Sequence, residues 1–416
     1  MTDRVSRTRS SRSGAARFAE APAVTFASPR WFEDRWAELS GSAFAPRSHA
    51  DPILACVVYA LILFGVCMVY SSSIAAIRPS PSGDLDTERF FVRQGIFAAV
   101  GFGLIFLARC TDYRALTSKL WSRSIAGGAL LSMGWVLLNG EVHNGAKRWV
   151  DVAGLFKVQP SEFAKLALVI WLAHYLTRPV SELKSIKLGL LPQLLVLLLL
   201  VALCMAQRDF GSAVIMLGLA LSLMAVAGVS VLRLLGITLA GAVLAPLGIL
   251  AAGYRWSRIQ AWLDPETHKQ DAAYQALQSL SALANGGLTG VGYGESTHKL
   301  DSLFGSHTDF IGSIVGEEFG FVGICALLCA YLVLATRGVL AAVRAPDPFG
   351  RHLAIGIVAF VLLPAMLNFA VVLNLVPTKG LTLPFVSYGG SSLLINCAAV
   401  GILLNISRRA PPVSAA

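Results

Sequence analysis

Charged residues are scarce in this chain. They make up 14% of its 416 positions, against about 25% in an average soluble domain. Hydrophobic residues make up 55%, and the mean hydropathy is +0.66. That balance excludes an ordinary water-soluble domain. Period-two alternation is missing too: LLVLLLLVALCMA (194–206) is apolar throughout, which is not the pattern of a membrane β-barrel. Metal-ligand spacing is also lacking. Of Cys56, Cys67, Cys110, Cys204, Cys325, Cys329 and Cys397, six lie in apolar segments and Cys110 follows one closely. No CxxC or Cys/His spacing occurs, so neither disulfides nor a structural metal are expected. No short apolar core with a cleavage site stands near the N-terminus, and no signal peptide is expected.

What the chain has is long apolar runs. Runs of about 18 or more apolar residues read as membrane helices. The expected fold is an all-α polytopic membrane protein with about ten transmembrane helices, at 52–72, 90–108, 123–139, 160–177, 189–206, 211–229, 232–253, 309–336, 353–374 and 390–407. Pro52 and Pro160 suit first helical turns. Residues 1–50 hold eight arginines among Ser, Ala and Pro and read as a disordered basic cytoplasmic tail. Residues 51–409 form the membrane domain, and 410–416 a short cytoplasmic tail. With both termini inside, the loops carrying Arg109, Arg114, Lys184, Arg233, Arg337, Arg344 and Arg408 fall on the cytoplasmic side, as positive charge directs. A large outer loop at 254–308 then lies between helices 7 and 8. Loops of that length are usually functional or disordered. Within it QDAAYQALQSLSALANG reads as a short amphipathic helix suited to a membrane surface.

Polar motifs collect at the outer ends of the spans: NGAKRW (144–149), QPSEFAK (159–165), QRDFGSA (207–213), YRWSRIQAWLDP (254–265), SHTDF (306–310) and PTKGLTLPFVSYGGSS (377–392). Cations there, Lys147, Arg148, Lys157, Arg208, Arg255, Arg258, Lys269, Lys299 and Lys379, are not what orientation requires. An anionic ligand is one reason for them; the freedom of long outer loops from the rule is the other. Glu162 and Lys165 share a helix face at i and i+3, a spacing more often structural than functional. Gly312, Gly316 and Gly320 form a small-residue ridge for packing. Asp309, beside that ridge, is either a helix N-cap or a working carboxylate, because a charge at membrane depth costs about 2.5–3.5 kcal/mol on insertion scales. SYGGSS is a turn whose backbone N–H groups can hold an anion.

Taken in order, these motifs resemble the SEDS family (shape, elongation, division and sporulation) of bacterial cell-wall polymerases, over roughly residues 52–409. PTKGLTLP before SYGGSS is more similar to the division member than to the elongation or sporulation members. Phe304-Gly305-Ser306 and Arg208-Asp209 depart from the family's usual Pro-Glu and Pro-Asp, and both departures leave Asp309 in place. The resemblance implies a peptidoglycan glycosyltransferase that polymerises lipid II at the outer face of the cytoplasmic membrane, at the division septum. It would work with a class B penicillin-binding protein and other division proteins, and no nucleic-acid partner is expected. It carries the essential carboxylate onto Asp309, as general base, and places Glu162 and Lys165 in the same central cavity. Sugar and pyrophosphate binding falls to Lys147, Arg148, Arg255, His307, Lys379, Ser387 and Ser391. The leaving pyrophosphate calls for positive charge from Lys147, Arg148, Lys165, Arg255 or a divalent cation such as Mg or Mn. An α-linked donor giving a β-linked product implies one inverting displacement. A lipid II transporter, an elongation-type polymerase and a scaffold that only recruits its partner are the alternatives. A transporter would show inverted repeats with broken helices near the midplane, and no such self-similarity is visible.

Overall fold

The computed structural model describes residues 50–73, 86–143, 146–152, 156–178, 190–250, 253–268, 273–301, 303 and 305–409. The expected tails at 1–50 and 410–416 lie outside the described residues, apart from Ala50. Ten long helices coincide with the ten expected segments: α1 (Pro52–Ser73), α2 (Asp86–Cys110), α3 (Lys119–Asn139), α4 (Pro160–Leu176), α5 (Leu191–Ala206), α6 (Phe210–Val226), α7 (Val231–Leu250), α11 (Ile311–Val343), α12 (Pro348–Val372) and α13 (Gly390–Arg408). Five of them are long and apolar enough to cross a membrane: α1, α2 from Phe90, α11, α12 and α13. Proline opens α1, α4 and α12, where its missing N–H costs nothing.

Apolar residues point both ways. Leu54, Leu168, Leu172, Ile215 and Phe360 are buried, while Leu131, Leu138 and Leu232 are each at least 77% exposed. An outer surface of that kind suits lipid rather than water. Helix α4 is the axis of the bundle. All its residues but Phe163 and His174 are buried, and α3, α5, α6, α12 and α13 pack around it. Its first turn therefore opens into the centre of the molecule. A three-stranded antiparallel sheet, β1 (Glu141–His143), β2 (Ala146–Val152) and β3 (Phe156–Val158), joins α3 to α4. This small sheet went unread in the sequence because its strands carry no sustained alternation.

The outer loop contains helices α8 (Gly253–Leu263), α9 (Tyr274–Gly286) and α10 (His298–Asp301). The expected amphipathic helix is present as α9, but it packs on α11 instead of lying free on a membrane surface. Ser279 Oγ lies 2.7 Å from Ser313 Oγ and donates to Val372 O at 2.7 Å. The glycine ridge of α11 is also interrupted. Gly320 has φ 65° and ψ −163°, which breaks the helix. Residues 287–292 fill the break: Phe321 N donates to Gly287 O at 2.9 Å and Val291 N to Glu317 O at 3.0 Å. A Cβ at Gly320 would stand 2.4 Å from Gly290 N. Backbone groups freed at membrane depth must be satisfied within the protein, and here the loop satisfies them.

Beside the break, two acids of the eighth expected span fasten the loop. Glu317 accepts from Asn285 Nδ2 at 2.9 Å, from Thr297 N at 3.2 Å and from Ser296 Oγ, with His298 Nδ1 at 2.8 Å. Glu318 pairs with Lys299 at 2.9 Å and accepts from Ser71 Oγ at 2.5 Å. Lys299 was grouped with the outer cations; it is buried and committed to this pair, so it is not free for an anionic ligand. At the other end of the bundle Asp51 meets Arg337, Asp112 meets Arg409 at 2.7 Å, and Asn405 Nδ2 donates to Arg109 O at 2.6 Å. The arginines assigned to the cytoplasmic side thus gather at one end.

Removing one partner of a buried pair costs about 3–5 kcal/mol, because the other charge is left uncompensated. Lys299→Met is expected to lower the thermal unfolding temperature in detergent markedly. Lys299→Met with Glu318→Leu is expected to recover most of the loss.

Candidate active site

At the opposite end, the first turn of α4 places Glu162 and Lys165 over a cleft. Lys165 Nζ lies 2.7 Å from Glu162 Oε1, with both side chains nearly buried. The cleft holds about 400 Å³ of empty space, part of it open to solvent, lined among others by Glu162, Lys165, Ser212, Phe360, Thr382 and Asn396. The entry to α4 is pinned from α13: Gln159 N donates to Ser391 Oγ at 3.2 Å, and Ser391 Oγ donates to Lys157 O at 3.0 Å. The hydroxyl expected to bind substrate is thereby engaged with backbone.

Two segments without regular structure form the roof. Residues 305–310 precede α11, and 377–389 precede α13. Ser387 joins them: its Oγ donates to Thr308 O at 2.6 Å and accepts from Leu383 N at 2.7 Å. Tyr388 N donates to His307 O at 2.9 Å. The His307 ring is held between Phe90 and Tyr388, with centroids 5.0 and 5.8 Å away, and burial pushes its pKa below the usual histidine value. It is packed among aromatics rather than facing water.

Asp309 lies in the turn before α11. The N-cap of α11 is Phe310, without a side-chain cap, so the capping reading of Asp309 does not hold. Gly380, a lining residue of the cleft, faces the carboxylate: a Cβ there would stand 3.0 Å from Asp309 Oδ2. Among the described residues no hydrogen bond reaches the Asp309 carboxylate. Burial pushes its pKa up to about 6, against the pull of Arg258 and Arg148.

Those two arginines are the cations that act on Asp309. Arg258, on α8, donates from Nη1 to Thr378 O at 3.0 Å. Arg148, on β2, donates from Nη2 to Arg208 O at 2.8 Å. Lys379 Nζ lies 4.4 Å from the centroid of the Phe210 ring, and Lys147 is exposed on β2. Arg255 falls within α8, but its side chain lies outside the described residues. Lys165, matched by Glu162, offers less uncompensated charge than Arg148 or Arg258.

Sequence reading missed three residues. Arg258 stood in the quoted motif, but Arg255 was chosen. Asp209 caps α6, accepting from Ser212 N at 3.2 Å, Ser212 Oγ at 2.7 Å and Ser161 Oγ at 3.1 Å. An Asp directly before an apolar run signals such a cap. Asn368, a lone amide in the apolar run LLPAMLNFAVV, donates from Nδ2 to Asp309 O at 2.8 Å and to Leu381 O at 2.6 Å. A polar residue inside a membrane helix was the signal.

The fold and cleft define a polytopic helical membrane protein with a polar site built from the loops at one end of its bundle. Residues 52–411 match the family model FTSW_RODA_SPOVE, described as "Cell cycle protein". The chain belongs to this FtsW/RodA/SpoVE family, as the SEDS resemblance implied. A protein of Geobacter metallireducens named as a probable peptidoglycan glycosyltransferase FtsW is 40% identical over 362 residues, covering 86% of this chain and 95% of that one. Stage V sporulation protein E of Bacillus subtilis is 36% identical over 364 residues, covering 87% and 98%. Among solved structures, a chain from work on polymerization and crosslinking by a peptidoglycan synthase complex superposes with TM-score 0.71 at 29% identity, covering 86% and 98%. The rod shape determining protein RodA of Thermus thermophilus does so with TM-score 0.62 at 28% identity, covering 87% and 97%.

Ser387→Ala orphans a buried backbone carbonyl and a buried N–H. Each unmet group costs about 1–3 kcal/mol. A lower thermal unfolding temperature is the expected result, measured on the purified protein.

Proposed function

We propose that this protein is a peptidoglycan glycosyltransferase that polymerises lipid II during septal wall synthesis, with Asp309 as the general base. The observation that carries the reading is a carboxylate set against Gly380 of the cleft wall, with no hydrogen bond to its oxygens among the described residues, a raised pKa and two arginines acting on it. The names of the relatives support the activity. All ten long helices are taken to span the membrane with both termini inside, and the cleft faces the outer side. The separation of the two polar ends supports that orientation. A class B penicillin-binding protein is the proposed partner; the likeness to a chain of a peptidoglycan synthase complex supports it.

An α-linked donor giving a β-linked product takes one inverting step. The acceptor's sugar hydroxyl gives its proton to Asp309 as its oxygen attacks the donor's anomeric carbon. The bond from that carbon to the diphosphate oxygen breaks, and its electron pair leaves with undecaprenyl diphosphate. Arg148 and Arg258, the cations acting on Asp309, would stabilise that charge. Glu162 and Lys165 shape the wall of the cleft as a matched pair. Among the described residues no group of three or more His, Cys, Asp or Glu could hold a metal ion. These side chains do not by themselves form a metal site.

Asp309→Ala and Asp309→Asn are expected to abolish glycan polymerisation while the protein still inserts and folds. Purified full-length protein with its penicillin-binding partner, lipid II and a β-lactam to block crosslinking would measure this. Near-normal chains from either variant would refute the base assignment. The raised pKa fixes a sign as well. The base must be ionised, so kcat/KM is expected to fall about tenfold per pH unit below about 6. The same shift makes ionised Asp309 unfavourable in the folded state. Its contribution to stability is therefore lost as pH rises from its ordinary 3.8 to about 6.

A further inference from the structure

Among the described residues no hydrogen bond fixes the carboxylate of Asp309, so its place depends on its backbone. That backbone lies in a turn, and its neighbour Gly380 lies in a second irregular segment. Neither belongs to a helix or strand that would set the distance between them. Ser387 and Tyr388 join the two segments at Thr308 and His307, and one further side chain spans them at Asp309 itself. Asn368, on α12 and 1% exposed, gives one amide hydrogen to Asp309 O at 2.8 Å and the other to Leu381 O at 2.6 Å. Both donors are spent, and the two carbonyls belong to segments about 70 positions apart in the chain. The amide oxygen is buried without a partner. It faces Gly312, where a Cβ would stand 3.6 Å away. Leaving that acceptor unmet has a cost of about 1–3 kcal/mol. Asn is explained by its two donors, which meet one carbonyl in each segment.

We infer that Asn368 is the positioning residue of the reaction, clamping the main chain of Asp309 to that of Leu381 so that the carboxylate stays against Gly380 at the wall of the cleft. This rests on the reading of Asp309 as the base. A reacting group displaced by about 1 Å can lose about 100-fold in rate. The clamp therefore acts on kcat through geometry while touching no substrate.

The test uses the full chain with its penicillin-binding partner and lipid II, comparing wild type, Asp309→Ala, Asn368→Ala and Asn368→Leu. The last keeps the size close and removes both donors. For whichever Asn368 variants purify folded, kcat per folded molecule is expected to fall about 100-fold with KM for lipid II within about threefold. The acid limb of kcat/KM is expected to move to lower pH, because Asp309 is released from its burial while Arg148 and Arg258 still favour its charge. Amide hydrogen exchange at 308–312 and 380–383 is expected to speed up, a readout that needs no activity. An Asn368 variant with wild-type kcat, or with lowered kcat but an unmoved acid limb and unchanged exchange, would overturn the clamp. If neither variant folds, Asn368 is a structural residue and the clamp is likewise overturned. An active Asp309→Ala would sink the base assignment instead, so the two failures are distinguishable.

Discussion

A carboxylate buried in an apolar bundle must be met by charge or hydrogen bonds, and this fold is organised around meeting them. Asp51 has Arg337, Glu162 has Lys165, Asp209 has two serine hydroxyls and a backbone N–H, Glu317 has His298 with a set of donors, and Glu318 has Lys299. Most of these pairings join elements that would otherwise slide, whereas Glu162 and Lys165 pair within α4. Asp51 ties the start of α1 to α11, and Glu317 and Glu318 tie the outer loop to the same helix. Against this rule Asp309 stands apart, because nothing hydrogen-bonds its oxygens among the described residues. Its side chain is half-buried against Gly380 of the cleft wall with its pKa raised to about 6, the perturbation on which the proposed base role rests.

The site is assembled from backbone as much as from side chains. Ser387, Asn368, Arg258 and Arg148 each donate to a main-chain carbonyl of a loop that forms the site. Irregular chain at the end of a membrane bundle has many such carbonyls, and they must be satisfied where water is thin. The same bonds that satisfy them set the distances between segments. Several residues that would pass for substrate ligands in a sequence are therefore committed to the frame, Ser387 and Ser391 most clearly.

The helices were legible because long apolar runs state their own ends, and the ten segments matched observed helices with boundaries shifted by a few residues. The gathering of NGAKRW, QPSEFAK, SHTDF and PTKG at one end was legible from the alternation of spans. Pairings across the fold were not. Lys299 and Glu318 are 19 positions apart, and nothing in either neighbourhood distinguishes a buried lysine from a solvated one. Arg258 and Arg255 stand one helical turn apart on α8, and only the docking of α8 against Thr378 and Asn374 chooses between them. The break at Gly320 was hidden inside a pattern that also reads as a packing ridge, because glycine serves both uses.

The break and the free carboxylate are connected through α11. The Asp309 turn leads into this helix, and nine residues from its start it is interrupted and filled by residues 287–292 of the outer loop. The short segment Ile311–Phe319 is therefore held by α9, the filling loop and Asn368 rather than by the rest of α11. The loop fastened by Glu317 and Glu318 and the turn that carries Asp309 share this one short segment. The two buried glutamates bind that segment to the loop, so loop, segment and Asp309 turn are held together as one packed unit.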